Sequence, residues 1–341
     1  MTTVRVAEDA LSRRVLETLV AAGAAAAPAE AATRAMMHAS RLGIDSHGVR
    51  LTEHYCEMMA KGRIDPDPVL AVRRTGPAAA VVDAGNGLGH YAAYRAIAVG
   101  VEIAAEAGVA AVGVVRSSHY GAAGAYALAG AEAGLVAFAT TNSDSLVALR
   151  DGAEVFHGTN PLAFAAPVPG EAPWLFDMAT SSIPYNRVLL NRSLGAPLPE
   201  GVAADAGGAP TTDPHLSAML LPLGGPDFGH KGAGLAGVAT VLSAVLMGMT
   251  LDRDFTPMYG GDETTPRGMG HCFILIDPER FAGREAYAAG IRRYLGQLRA
   301  SPARPGASVM APGDREWHRA EERRRHGIPI DPDTARYLGF A

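Results

Sequence analysis

Histidines and hydroxyl-bearing residues recur along this chain in short, glycine-flanked polar blocks. They include Asp45-Ser46-His47-Gly48, Arg116-Ser117-Ser118-His119-Tyr120-Gly121, Thr141-Asn142-Ser143, Gly158-Thr159-Asn160-Pro161, Asp177-Met178-Ala179-Thr180-Ser181 and His230-Lys231-Gly232. An imidazole can give and take a proton near neutral pH. Hydroxyls, a carboxylate and an ammonium group beside it suit a long polyanionic cofactor next to a small polar substrate.

Other chemistries fit less well. Eleven histidines invite a metal site, yet there is no HExxH block, and His47 and His54 lack an acid at zinc-ligand spacing. No metal is expected. A serine hydrolase would need a G-x-S-x-G elbow, which is missing. The turn Gly85-Asn86-Gly87-Leu88-Gly89-His90 reads G-x-G-x-G, not the dinucleotide pattern G-x-G-x-x-G, and is taken as backbone punctuation.

The element that must position His119 is legible between residues 109 and 141. An apolar run from Val109, a polar turn, an Ala-rich segment ending at Gly134 and a second apolar run from Leu135 predict a β-loop-α-β unit. His119 then falls at a strand's carboxyl end, where open α/β sheets bind ligands and the next helix aims its free N–H groups outward. Lys231 is expected at the N-terminus of a following helix. A cation is disfavoured there by the helix dipole unless an anion joins it, which favours a ligand-binding role.

Around this centre, helices are predicted over 8–22, 29–42 and 51–60, and strands over 79–83, 162–167, 174–176 and 270–276. A helix is expected over 91–107, a late amphipathic helix carries Tyr287, Ile291, Leu295 and Leu298, and a charged helix over 315–326 has Asp314 as N-cap. Arg323, Arg324 and Arg325 stand beside Glu321 and Glu322 and read as a solvated face. The uncharged stretch 232–251 is rich in Gly and Ala and reads as a helix buried in a core, not a membrane span. Helical ends bracketing an α/β middle suggest one domain inserted into another.

Composition bounds the partners. With 48% hydrophobic and 19% charged residues the chain reads as globular, and a net charge of -5 offers no footprint for nucleic acid. Two cysteines, Cys56 and Cys272, form no disulfide framework. Glu8 and Asp9 stand where a signal peptide would need an apolar core, so a cytoplasmic location is expected.

These blocks, together with Pro210-Thr-Thr-Asp-Pro214 and Pro312-Gly313-Asp314, follow an order that resembles the malate/L-lactate dehydrogenase type 2 family. That family also holds sulfolactate and ureidoglycolate dehydrogenases, a diketogulonate reductase and a cyclic-ketimine reductase. The resemblance implies an NAD- or NADP-dependent oxidoreductase acting on a small-molecule substrate as a homodimer, with its cleft near the subunit interface. It implies a non-Rossmann, mixed-sheet α/β nucleotide-binding domain over 73–261, inserted into a mainly helical domain of 1–72 and 262–341. By similarity, His47 or His119 would be the general acid/base, with Ser46 orienting His47. His119, Tyr120, Gly121, Ala122, Ala123, Ser143, Asp177, Met178, Ala179, Lys231, Pro312 and Gly313 would hold the cofactor. Thr159, Tyr185 and Asn186 would face the substrate.

Reducing a 2-oxo acid requires a hydride, a proton for the developing alkoxide and a cation for the carboxylate. Two departures from the family bear on the cation. Relatives commonly carry Arg four residues after the histidine of the S-H-G block; here that position is Leu51, and the arginine is Arg50. After the Asp177 block, where the ketimine-reducing branch carries an acid, this chain has Tyr185-Asn186-Arg187, making Arg187 a second candidate clamp. Reduction of a 2-oxo acid is therefore the leading expectation. Reduction of a cyclic imino acid is its alternative, and a non-catalytic binding protein on the same scaffold is the reading from another class.

Overall fold

The computed structural model describes residues 4–340. Its centre is a seven-stranded mixed sheet in the order Ala71–Gly76, Ala79–Asp83, Val109–Ser117, Met269–Ile276, Val136–Thr141, Leu162–Ala166, Trp174–Met178. Ala79–Asp83 runs parallel to Val109–Ser117. Met269–Ile276 is antiparallel to both its neighbours, so Val109–Ser117 and Val136–Thr141 point the same way. The helix Gly124–Glu132 connects them, completing the β-α-β unit with one strand laid between its two. Leu162–Ala166 is antiparallel on both sides, which turns Trp174–Met178 in that direction too. One edge of the sheet therefore gathers the carboxyl ends of four strands, at Asp83, Ser117, Thr141 and Met178.

Small residues let the helices sit close on this sheet. A Cβ on Gly100 of the helix Gly89–Ala107 would meet Leu275 Cδ1 at 2.5 Å, and one on Gly130 would meet the Ala137 Cβ at 2.5 Å. Val112, Val114, Phe273 and Leu275 are fully buried beneath them. Each such side chain contributes about 1.5–3 kcal/mol.

A second core lies among the helices Glu8–Ala21, Ala26–Leu42 and Thr52–Ala60, with Leu11, Val15, Leu19, Met36, Tyr55 and Met58 inside it. Its seam is closed by Val4–Val6 paired with Ile328–Ile330, two three-residue strands too short to show a period in sequence. A small four-stranded sheet, Ala203–Ala204, Met219–Leu220, Val147–Ala148 and Val155–His157, flanks the large one.

Four expectations need correcting. Met269–Ile276 falls beyond the expected domain boundary at 262 yet forms the middle of the large sheet. Its eight residues return from a distant part of the chain, and only tertiary pairing shows where they go. The helix Gly225–Thr240 continues into a π-helical turn, Val241–Val245, but it is not buried: Phe228, Val238, Val241 and Val245 are 57, 46, 54 and 59% exposed. Among the described residues no helix is long and apolar enough to cross a membrane. Arg323 is not on a solvated face, since it is buried and donates to Asp45 Oδ2 at 2.9 Å and to the Ser40 carbonyl. Asp314 is the first helical residue, with Gly313 at the cap position, and it pairs with Arg299 at 2.7 Å.

Candidate active site

The sheet edge is pinned by a residue not singled out in the sequence. His271, fully buried, has Nε2 at 2.8 Å from Ser117 Oγ and Nδ1 at 2.8 Å from Thr141 Oγ1, so it bridges the carboxyl ends of two strands. Burial pushes its pKa down to about 3, and the ring of Tyr120 stacks on it at 4.4 Å. A neutral imidazole has one donor and one acceptor, and the two hydroxyls match both. Ser118 Oγ accepts the Gly89 N–H at 3.0 Å and donates to the Gly87 carbonyl at 2.9 Å. A Cβ on Gly89 would lie 2.2 Å from the Ser118 carbonyl oxygen, so the glycine-rich turn serves to seat the histidine loop.

His119 follows directly and meets His47, which arrives from the helical side on the 3-10 turn Asp45–His47. The Arg323–Asp45 pair holds that turn. The two imidazole centroids are 5.7 Å apart at 32°. Nδ1 of His47 is 2.8 Å from Ser46 Oγ, and Nδ1 of His119 is 2.7 Å from the phenolic oxygen of Tyr55. Neither Nε2 has a hydrogen-bond partner among the described residues, and neither is among the fully enclosed unpaired atoms, so both are unpaired and within reach of solvent. Burial lowers the pKa of His47 to about 4. It also lowers that of His119 well below the ordinary value, reinforced by His47, His90, His54 and Arg267. Both rings are neutral at pH 7.

Past His119 the chain turns through Gly121 at φ +75, where a Cβ would stand 3.4 Å from His90 Nε2 and 3.7 Å from the His47 carbonyl oxygen. Tyr120, Ala122 and Ala123 are buried behind the turn. The Gly124 N–H donates to Asp177 Oδ2 at 2.8 Å, leaving no room for a Cβ. Burial pushes Asp177 up to about 6; the Gly124 hydrogen bond opposes this and nearby Glu316 adds to it. Met178 and Ala179, half-buried, continue along the same edge. Gly313, at φ +95, rests against the backbone of Leu175, so the Pro312–Gly313 turn lies on the strand that carries Asp177.

The opposite flank is organised by Asp252. This buried carboxylate accepts from Asn142 Nδ2 (2.8 Å), Asn160 Nδ2 (2.7 Å), Thr240 Oγ1 (3.0 Å), the Gly158 N–H (3.2 Å) and, across 3.1 Å, His157 Nδ1. Burial pushes its pKa up, but the donors together outweigh this and leave it below the usual carboxylate range. Asn160 Oδ1 in turn accepts the Ser143 N–H at 3.1 Å, and the Thr159 carbonyl accepts the Thr180 N–H at 2.8 Å. Ser143, Thr159 and the Asp177 strand thus share one edge with His119.

The remaining expected residues are exposed and make no hydrogen bond to either imidazole. Lys231 is not at a helix N-terminus: it is the seventh residue of Gly225–Thr240, exposed, with Nζ 4.9 Å above the Phe228 ring. The dipole argument therefore does not apply to it. Arg50 is exposed three residues after His47, and Tyr185, Asn186 and Arg187 are exposed on the first turn of the helix Tyr185–Leu194. Three residues given no site role by the sequence pattern also surround His119: Tyr55, His90 and Arg267, the last buried and paired with Asp144. Tyr55 lies on an apolar helix face that periodicity reads as core.

A mixed sheet that brings two neutral imidazoles to the carboxyl ends of its strands, beside a glycine turn and a buried carboxylate, has the form of an α/β oxidoreductase. The solved structure of sulfolactate dehydrogenase from Methanocaldococcus jannaschii superposes with a TM-score of 0.91 at 28% identity, covering 98% of this chain and 95% of that one. The sequence is 34% identical over 335 residues to the ureidoglycolate dehydrogenase (NAD(+)) of Escherichia coli O157:H7, 98% of this chain and 95% of that protein. It is 34% identical over 310 residues to a Delta(1)-pyrroline-2-carboxylate reductase of Pseudomonas fluorescens, 90% of each. The profile of the malate/L-lactate dehydrogenase family matches residues 6–339, and the chain belongs to that family. It is an enzyme of the dehydrogenase and reductase class.

Proposed function

We propose that the protein reversibly reduces a small 2-oxo acid: 2-oxo acid, NAD(P)H and a proton give the 2-hydroxy acid and NAD(P)+. The observation that carries this reading is the His47–His119 pair, with two unpaired Nε2 atoms within reach of solvent at the strand ends. A cofactor fits the same edge. The left-handed turn at Gly121 and the close seating of the Gly124 N–H on the Asp177 carboxylate bring backbone to that edge, and Ser143 is held beside it through Asn160.

In this reading His119 to Ala123, Ser143, Asp177 to Ala179 and the Pro312–Gly313 turn hold NAD(P), with Lys231 reaching in from the helix surface. When bound, the nicotinamide supplies the hydride. The imidazole pair supplies the proton for the alkoxide oxygen in reduction and removes it in oxidation. Ser46 Oγ orients His47. Thr159, Tyr185 and Asn186 face the substrate, and Arg50 or Arg187 pairs with its carboxylate. A substrate anion beside the pair raises the pKa of a buried imidazole, readying the acid form for reduction.

The exposed apolar stripe Phe228, Leu235, Val238, Val241 and Val245 supports a homodimer, because monomers rarely leave such a surface in water. Buried free thiols at Cys56 and Cys272 suit a cytoplasmic location.

The Pseudomonas fluorescens relative favours a second reading, reduction of the C=N bond of a cyclic imino acid. A panel of 2-oxo acids and cyclic imino acids, followed by the absorbance of the reduced cofactor, separates the two. Turnover of 2-oxo acids alone supports the first, turnover of imines alone replaces it with the second, and turnover of neither rejects both.

A further inference from the structure

We infer that Tyr55 is a positioning residue whose phenolic O–H donates to His119 Nδ1. It thereby fixes His119 as the tautomer with its proton on Nε2, a hydrogen-bond donor toward the substrate oxygen, and leaves proton exchange to His47. The division of labour between the rings rests on the proposed reduction; the tautomer does not.

Tyr55 is fully enclosed on the helix Thr52–Ala60, against the rings of His54 at 5.6 Å, His90 at 4.7 Å and His119 at 6.1 Å. Burial holds its pKa well above the ordinary value, so the phenol keeps its hydrogen. Among the described residues, His119 Nδ1 at 2.7 Å is its one hydrogen-bond partner. Were the His119 proton on Nδ1, it would point at the phenolic oxygen and leave the phenolic hydrogen enclosed and unpaired. An unpaired buried donor costs about 1–3 kcal/mol. The arrangement that pairs both groups has Tyr55 donating, Nδ1 accepting and the proton on Nε2.

The same geometry disfavours the His119 imidazolium, which needs a hydrogen on both nitrogens. The charged and titratable groups that act most strongly on His119 are His47 on the turn before Gly48, His90 on the next helix, His54 beside Tyr55 and Arg267 at the head of the central strand, and each disfavours the cation. His47 is placed differently. Its Nδ1 partner is the half-buried hydroxyl of Ser46, which can rotate to donate or accept, so both neutral tautomers and the cation are satisfied. His119 then gives a hydrogen bond to the alkoxide oxygen, and the proton that the oxygen gains leaves Nε2 of the His47 imidazolium.

The test is nitrogen NMR of the full chain with labelled histidine at pH 7, for wild type, Tyr55→Phe and His119→Asn, the last identifying the His119 signals. We expect the wild-type His119 to be neutral with its proton on Nε2, and Tyr55→Phe to give a mixture of tautomers. Kinetically, Tyr55→Phe should lower kcat about tenfold or more, by weakening one oxyanion donor, with KM for the reduced cofactor within about twofold of wild type. The acidic inflection of the pH profile should survive in Tyr55→Phe and His119→Asn and vanish in His47→Asn. A wild-type His119 protonated on Nδ1, or charged, overturns the inference, as does an unchanged tautomer in Tyr55→Phe. Should no panel substrate be turned over, the proposed reaction fails while the spectra still decide the tautomer.

Discussion

Tyr55 and His119 stand 64 residues apart in the chain and meet through a single 2.7 Å hydrogen bond. Tyr55 belongs to the helical core and His119 to the end of a strand in the large sheet, so the bond ties the two bodies together at the candidate site. His47 crosses the same seam in the opposite sense, brought by the helical side to within 5.7 Å of His119. The site is thus assembled between the two cores, and its geometry depends on their packing through the helices Ala26–Leu42 and Gly89–Ala107.

Removing either imidazole should uncouple chemistry from binding. His47→Ala is expected to lower kcat by roughly 10²–10⁴-fold as the lost proton carrier, and His119→Ala by roughly 10²–10³-fold as a lost oxyanion donor. Calorimetric titration with NADH and NADPH should find the cofactor affinity of His47→Ala unchanged. Near-wild-type turnover in both variants would remove the pair from the mechanism.

The Asp252 network should matter for stability before it matters for catalysis. Asp252→Ala strips the acceptor from Asn142, Asn160, Thr240, His157 and the Gly158 N–H at once. Loss of one side of such a buried charged network costs about 3–5 kcal/mol, which lowers Tm by about 4–7 °C in a chain of this size. Differential scanning calorimetry checks this; a Tm within a degree or two of wild type would mean that solvent replaces the carboxylate freely.

Buried neutral histidines give the fold an acid limit. Burial lowers His38, His90 and His271 to about 3 and His47 and His54 to about 4, while the unfolded chain takes up these protons near pH 6.5. As pH falls below about 6.5 the unfolded state binds protons that the native state refuses, and each group subtracts up to about 1.4 kcal/mol per pH unit. Asp177, raised to about 6, works in the opposite sense between about pH 6 and 4, but it is one group against five. Tm followed by intrinsic fluorescence should fall steadily from pH 6.5 to pH 4. A flat profile across that window would show that these rings are solvated.

Much of this architecture was legible in sequence because local pattern and tertiary demand agree. The run from Val109 to Thr141 has the apolar, polar, Ala-rich, apolar order of a β-α-β unit, and His119 does sit at the strand end. Other features lie beyond local pattern. Tyr55 and His271 look like core residues because each is buried, and their roles exist only through hydroxyl and imidazole partners 64 and more than a hundred residues away. The sequence pattern misplaces Lys231 because the uncharged stretch opens at Gly232, whereas Gly224 and Gly225, both at positive φ, start the helix two turns earlier. Hydropathy marks the segment after it as buried, whereas Val238, Val241 and Val245 are exposed.

That exposed segment sets the next expectation. Val241→Asp combined with Val245→Asp places two charges in the middle of the apolar stripe and should halve the mass seen by sedimentation equilibrium. A wild-type protein that is already monomeric at micromolar concentration would refute the assignment of this face to a second copy.

The central claim is that hydride and proton chemistry meet where His47 and His119 open onto the sheet edge. A crystal structure of the enzyme with oxidised cofactor and 2-hydroxy acid product tests it most directly. The expected result is a nicotinamide ring seated past the Gly121 turn, with the product hydroxyl within hydrogen-bond reach of both Nε2 atoms. A cofactor bound elsewhere, or a product hydroxyl that touches neither imidazole, would contradict the account.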